Sequence, residues 1–159
     1  MGNAFKKFGH EVKALPLVGN GQPYLNLGIK VLGKTKSFST GGMGYTSLKG
    51  RILEIMQGQI IYLIKRTYLL FLISHKYDLL VVVGDVLPIT IAWLTRLPVV
   101  TYLVAYSSHY EGKLKLPWPC SNCLSSDKFF KIFTRDKLTA DDLKKQFFGK
   151  VEFIGNPFM

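Results

Sequence analysis

Apolar residues change their spacing several times along this chain, and each change marks a predicted element. Leu79-Leu80-Val81-Val82-Val83 is an unbroken β-branched and leucine run, which predicts a strand buried on both faces of a parallel sheet. Leu97 to Val104 repeats that signal, and shorter runs predict strands at 12–18, 29–32, 130–134 and 151–154. Elsewhere the spacing is helical. Ile52, Ile55, Met56, Ile60, Leu63 and Ile64 recur at three- and four-residue steps, predicting one long helix from about Leu48 to Ser74, capped by Thr46 or Ser47. Its later part, Tyr68 to Ile73, is apolar all round. That predicts burial in a core, with a position on a membrane surface as the second possibility. Glu54, Gln57, Gln59, Lys65 and Arg66 interrupt the stretch, so a membrane span is not expected. Further helices are predicted at 4–8, stopped by Gly9, and at 86–95 and 139–147, whereas 106–127, rich in Ser, Pro and Tyr, reads as an irregular loop.

Alternation of strands and helices predicts an α/β fold: a Rossmann-like, doubly wound parallel sheet with flanking helices. Ligands in such sheets sit beyond the strand carboxyl ends. The segments expected there are Gly41 to Tyr45, Gly84-Asp85, Ser107 to Tyr110, and Gly155 to Pro157. A doubly wound domain ordinarily starts with a strand, yet this chain opens inside a helix and stops just after a strand. The expectation is a single domain over 1–159 that lacks its first βα unit.

With 159 residues, 48% of them hydrophobic, there is material for one core, and a disordered chain is excluded. The balance is basic, at a formal +11, and it is uneven: residues 1–78 hold 11 basic and three acidic side chains, residues 79–159 ten and seven. Such a front half attracts anionic lipid or phosphorylated small molecules, or simply solvates the protein. With no basic run, nucleic acid is not the expected partner. The opening residues Gly2 to Lys7 have no apolar core of the kind a secretory signal carries, so the expected location is the cytoplasm, with peripheral contact at the inner face of the plasma membrane.

Candidate chemistry is sparse. Asp85 follows the apolar run and suits either a general base, partly desolvated at the sheet rim, or a helix N-cap. Gly41, Gly42 and Gly44, followed by Tyr45, can bring backbone N–H groups to a phosphate or form a turn needing positive φ. No Gly-Lys-Ser/Thr closes them into a P-loop. Ser107, Ser108, His109 and Tyr110 make a polar cluster in which His109 could orient or protonate a substrate oxygen. Cys120 and Cys123 stand in one C-x-x-C without a second pair, which reads as two incidental thiols rather than a zinc site. No metal or cofactor is expected.

Three motif groups, in order, carry a resemblance. They are Leu15-Pro16-Leu17-Val18-Gly19-x-Gly21-x-x-Tyr24, Thr40-Gly41-Gly42-x-Gly44-Tyr45 and Val83-Gly84-Asp85. Leu116-Pro117-Trp118, Phe133-Thr134-Arg135-Asp136-x-Leu138-Thr139-Ala140 and Gly155-Asn156-Pro157-x-Met159 continue the series. Together they resemble the lipid-A-disaccharide-synthase-related proteins of cyanobacteria over nearly the whole chain. The resemblance implies a GT-B glycosyltransferase fold with two Rossmann-like lobes, of which this chain would be most of the acceptor-side, N-terminal lobe. By the same resemblance a nucleotide sugar binds the other lobe, a lipid-linked or amphipathic acceptor binds this one, and no metal is needed. Asp85 would be the general base, and Gly41, Gly42, Gly44, Tyr45, Ser107, His109 and Tyr110 would line the acceptor cleft. Gly155, Asn156 and Pro157 would lead toward the second lobe. A piece of this kind is expected to be inactive alone. The alternative is a non-catalytic module that binds lipid or protein through the basic, apolar stretch 48–75.

Overall fold

The computed structural model of this chain describes residues 2–38, 48–84, 86–104, 106–108, 112 and 114–155. They divide into two units, Met1–Leu70 and Phe71–Met159.

In the first unit, helix α1 (Gly2–Lys7) ends at Gly9, whose φ of 83° turns the chain out of the helix. Strand β1 (Lys13–Ala14) pairs in parallel with β2 (Lys30–Val31), and α2 (Gln22–Asn26) lies between them in the chain. The strand predicted over 12–18 is thus only two residues long. Pro16 has no N–H to give a ladder, and its carbonyl is already taken by a side chain. Arg66, 3% exposed, donates from Nε at 3.1 Å and from Nη2 at 3.0 Å to the Pro16 carbonyl. Its Nη1 donates to the Leu32 carbonyl at 2.5 Å, and the guanidinium lies 5.3 Å from the centre of the Tyr62 ring. One cation therefore ties together the chain leaving β1 and the chain leaving β2. Gly33 makes room for it: at a φ of 68°, a Cβ there would stand 2.5 Å from Arg66 Nη1.

The single long helix predicted from Leu48 is two helices, α3 (Leu48–Met56) and α4 (Gln59–Ile73). Gly58, with φ 83°, breaks them apart. Burial is reversed from the expectation. The buried side of α4 carries Arg66 and Leu70, while Ile60, Ile61, Ile64, Tyr68, Phe71 and Leu72 are exposed. Glu54 of α3 is fully buried and accepts a hydrogen bond from Gln59 Nε2 at 3.1 Å. Polar contacts to buried carbonyls and amides, rather than apolar packing, set which side of α4 faces inward.

The second unit alternates strand and helix: β3 (Leu80–Val83), α5 (Val86–Trp93), β4 (Val99–Leu103), α6 (Trp118–Ser125), β5 (Phe129–Thr134), α7 (Lys137–Lys144) and β6 (Val151–Phe153). The four strands form one all-parallel sheet in the order β3-β4-β5-β6. Leu80 faces Val99, Thr101 faces Ile132, and Ile132 faces Val151. This is the predicted α/β, Rossmann-like arrangement, a parallel sheet flanked by helices. Val82, Val99, Leu103, Ile132 and Val151 point to one face, where Ile89, Ala92, Cys120, Cys123, Leu124, Ala140 and Leu143 of the three helices complete the core. Strands laid down in sequence in one direction, with crossovers of one hand, put every helix on the same face.

Two expectations are corrected here. The sheet among the described residues is wound in one direction, not doubly wound, so β3 is an edge strand. Val83 is 46% exposed and Leu79 also exposed, where burial on both faces was expected, because both point to the face opposite Val82 and its helix-packed core. An apolar run reports strand propensity and low polarity, but not whether a neighbour sits on each side. The loop predicted over 106–127 contains α6. Prolines suggested a loop, yet Pro119 stands in the first turn, where a helix tolerates it, and Cys120, Cys123 and Leu124 form its buried stripe. Neither cysteine is in a disulfide, and both lie in the core.

Candidate functional site at the strand carboxyl ends

All four strands of the second unit run the same way, so their carboxyl ends share one rim of the sheet. Gly84 follows β3 with φ 141°, Ser107 and Ser108 follow β4, Arg135 and Asp136 follow β5, and Gly155 follows β6. Tyr102, near the end of β4, donates its phenol hydrogen to the Gly155 carbonyl at 3.2 Å, spanning the strand between them. Burial raises the Tyr102 phenol above its usual range, and the nearby Arg135 charge opposes the rise.

The tightest cluster on the rim joins β4 to α7. Asp136 caps that helix: Oδ1 accepts the Thr139 N–H at 2.7 Å, and Oδ2 accepts the Thr139 hydroxyl at 2.8 Å. Thr139 Oγ1, fully buried, also accepts the Ser108 N–H at 2.7 Å. Thr134 Oγ1 closes the turn by donating to the Asp136 carbonyl at 3.0 Å. A relay thus runs from the Ser108 backbone through Thr139 to the Asp136 carboxylate, pinning the segment after β4 to the start of α7. Burial alone would push Asp136 up. The Thr139 hydroxyl and N–H, the Ser107 hydroxyl and the Arg135 charge outweigh it and hold the carboxyl below its ordinary value.

Ser107 and Ser108 are 1% and 2% exposed. Their hydroxyls lie within electrostatic reach of Asp136 and Asp142 respectively, but neither meets the geometry of a full hydrogen bond. The Ser108 hydroxyl is the main influence lowering Asp142, against burial and with help from Lys145. Beside it is a concavity of about 200 Å³ lined by Leu114, Asp142, Lys145 and Gln146, smaller than the usual small-molecule site. Ser107, which the resemblance places in the acceptor cleft, is a buried residue of this rim.

Of the other residues singled out in the sequence, Gly155 lies on the rim, with its carbonyl occupied by Tyr102. Asp85, Gly41, Gly42, Gly44, Tyr45, His109, Tyr110, Asn156 and Pro157 lie outside the described residues. The structure adds Tyr102, Asp136 and Thr139, to which sequence reasoning gave no role. Asp136-x-x-Thr139 ahead of a helical run is a legible capping signal. Nothing in sequence announced that Thr139 would also hold Ser108, 31 positions away. Both Asp136 oxygens are taken by the cap, so its carboxylate positions the rim rather than offering a proton acceptor. Among the described residues, no three His, Cys, Asp or Glu side chains gather as a metal site would need.

Scans of this chain against protein-family models, curated proteins and solved structures find no match.

Proposed function

We propose that this chain carries the acceptor-side unit of a glycosyltransferase resembling the lipid-A-disaccharide-synthase-related proteins. It would move a hexosyl group from a nucleotide sugar to a lipid-linked or amphipathic acceptor. One observation supports the reading above others. The described members of three motif groups that carry the resemblance, Val83-Gly84, Phe133 to Ala140 and Gly155, fall at the carboxyl ends of strands in one parallel sheet. Open α/β sheets bind ligands at that rim, at the point where strand order reverses. With the winding all in one direction from β3, the reading puts the acceptor crevice beside β3, the strand from which a reversal would start.

In this reading Asp85, next in the chain after Gly84, takes the proton of the acceptor hydroxyl as its oxygen bonds to the anomeric carbon. The bond from that carbon to the nucleotide phosphate breaks, and its electron pair leaves with the phosphate. Asp136 and Thr139 hold the Ser107–Ser108 segment in place beneath the acceptor. In this reading the nucleotide sugar is held by a second Rossmann-like lobe across the crevice.

The test is transfer from UDP-hexoses by the protein that carries this unit, the parent, and by its Asp85→Asn variant. General-base loss lowers the rate roughly 10²- to 10⁴-fold. A variant as fast as the parent would remove Asp85 from the chemistry, and a parent that transfers no sugar would remove the reading.

A further inference from the structure

Helix α4 is amphipathic the wrong way round for a helix packed by its apolar side. Ile60, Ile61, Ile64, Tyr68, Phe71 and Leu72 are all about half exposed or more, with Ile61 at 61% and Ile64 at 62%. At 100° per residue their positions fall within an arc of about 120°, one continuous stripe. The opposite side is held inward by Arg66 on the Pro16 and Leu32 carbonyls, so rotation cannot bury the stripe without breaking that clamp. Ile52, Ile55 and Met56 of the preceding α3 are exposed as well. An exposed apolar patch of this extent marks an interaction surface.

Charge identifies the occupant. Between Glu11 and Asp78 the only acidic residue in the sequence is Glu54, and it is fully buried. The same span contains nine lysines and arginines, of which Lys49 and Lys65 are exposed on α3 and α4. A face with outward isoleucines, exposed lysines and no exposed carboxylate repels a second copy of itself and suits a surface that is apolar beneath and negative at its edge. No helix among the described residues is long and apolar enough to cross a membrane, and the 15 residues of α4, about 22 Å at the α-helical rise, fit lying flat along one.

We infer that α4, helped by α3, docks this protein onto an anionic lipid surface, with the stripe from Ile60 to Leu72 sunk to the headgroup–acyl boundary. The inference is independent of sugar transfer: it requires neither Asp85 nor a second lobe.

The full chain should float with vesicles of phosphatidylcholine and phosphatidylglycerol, bind phosphatidylcholine vesicles far more weakly, and be released by high salt. Ile61→Gln with Ile64→Gln should lower the partition coefficient roughly tenfold or more. Lys65→Gln should lower it roughly fivefold, and Lys49→Gln similarly. Both pairs are exposed, and unchanged circular dichroism confirms that the variants fold. Equal binding to neutral and anionic vesicles, no binding to either, or a glutamine pair that partitions like the parent would overturn the inference. So would light scattering that shows a dimer abolished by the isoleucine changes while vesicles go unbound. In that case the stripe is a protein interface.

Discussion

Replacing Arg66 with Met tests the polar clamp that fixes which way α4 faces. Methionine keeps much of the aliphatic stem but removes all three N–H donors to Pro16 and Leu32 and the approach to the Tyr62 ring. The buried Pro16 carbonyl then keeps only the longer Tyr62 hydroxyl bond, at 3.4 Å, and the part-buried Leu32 carbonyl loses its guanidinium donor, toward the lower end of about 1–3 kcal/mol each. Loss of the ring interaction adds about 0.5–2 kcal/mol. Against this, the variant no longer has to bury a guanidinium, which returns part of the cost. The net expectation is a loss of about 3 kcal/mol in the first unit. Native-state hydrogen exchange reads it locally: the amides of β1 and β2 should lose roughly a hundredfold in protection, since about 1.4 kcal/mol corresponds to a factor of ten. The neighbouring Lys65→Met change, at an exposed position, should stay within about 0.5 kcal/mol of the parent. If Arg66→Met costs less than about 1 kcal/mol, or protects β1 and β2 as well as the parent does, the inward face of α4 is not set by this cation.

Gly33→Ala should destabilise the same unit by about 2 kcal/mol or more, because it combines a φ of 68° with a Cβ 2.5 Å from Arg66 Nη1; a neutral urea midpoint would contradict this. Asp136→Asn should cost about 1 kcal/mol at neutral pH through the weakened cap. The folded carboxyl titrates below its ordinary 3.8, so the parent's advantage is complete above the unfolded value and lost as pH falls through the folded one. Unfolding midpoints of parent and variant should therefore converge as pH falls below 3.8, and a gap of constant size across that range would count against the assignment. Cys120 and Cys123 should resist a thiol reagent in the folded protein and both react after unfolding. They sit in the core, and burial raises the Cys123 thiol despite the opposing Thr90 hydrogen bond and Lys128 charge. Rapid labelling of the native chain would show α6 to be open.

Local sequence alone determined which segments would be strands and which would be helices wherever composition and period agreed. The runs behind β3, β4, β5 and β6 were legible because unbroken β-branched and aromatic stretches have few other stable uses. The parallel sheet followed from their alternation with helices. Glycine stops were legible too, as at Gly9, since positive φ is a backbone property carried by the residue itself. Tertiary structure decided the rest. Whether Leu79 to Val83 would be central or an edge depends on neighbours that no local pattern encodes. Helix α4 had apolar residues enough to be buried by either side, and the choice fell to one arginine meeting two carbonyls 34 and 50 positions away. The rim cluster is of the same kind. Asp136 announced its helix, but Thr139 became the link to Ser108 only when β4 and β5 lay side by side, because a hydrogen bond is worth its energy only between groups the fold has already brought within about 3 Å.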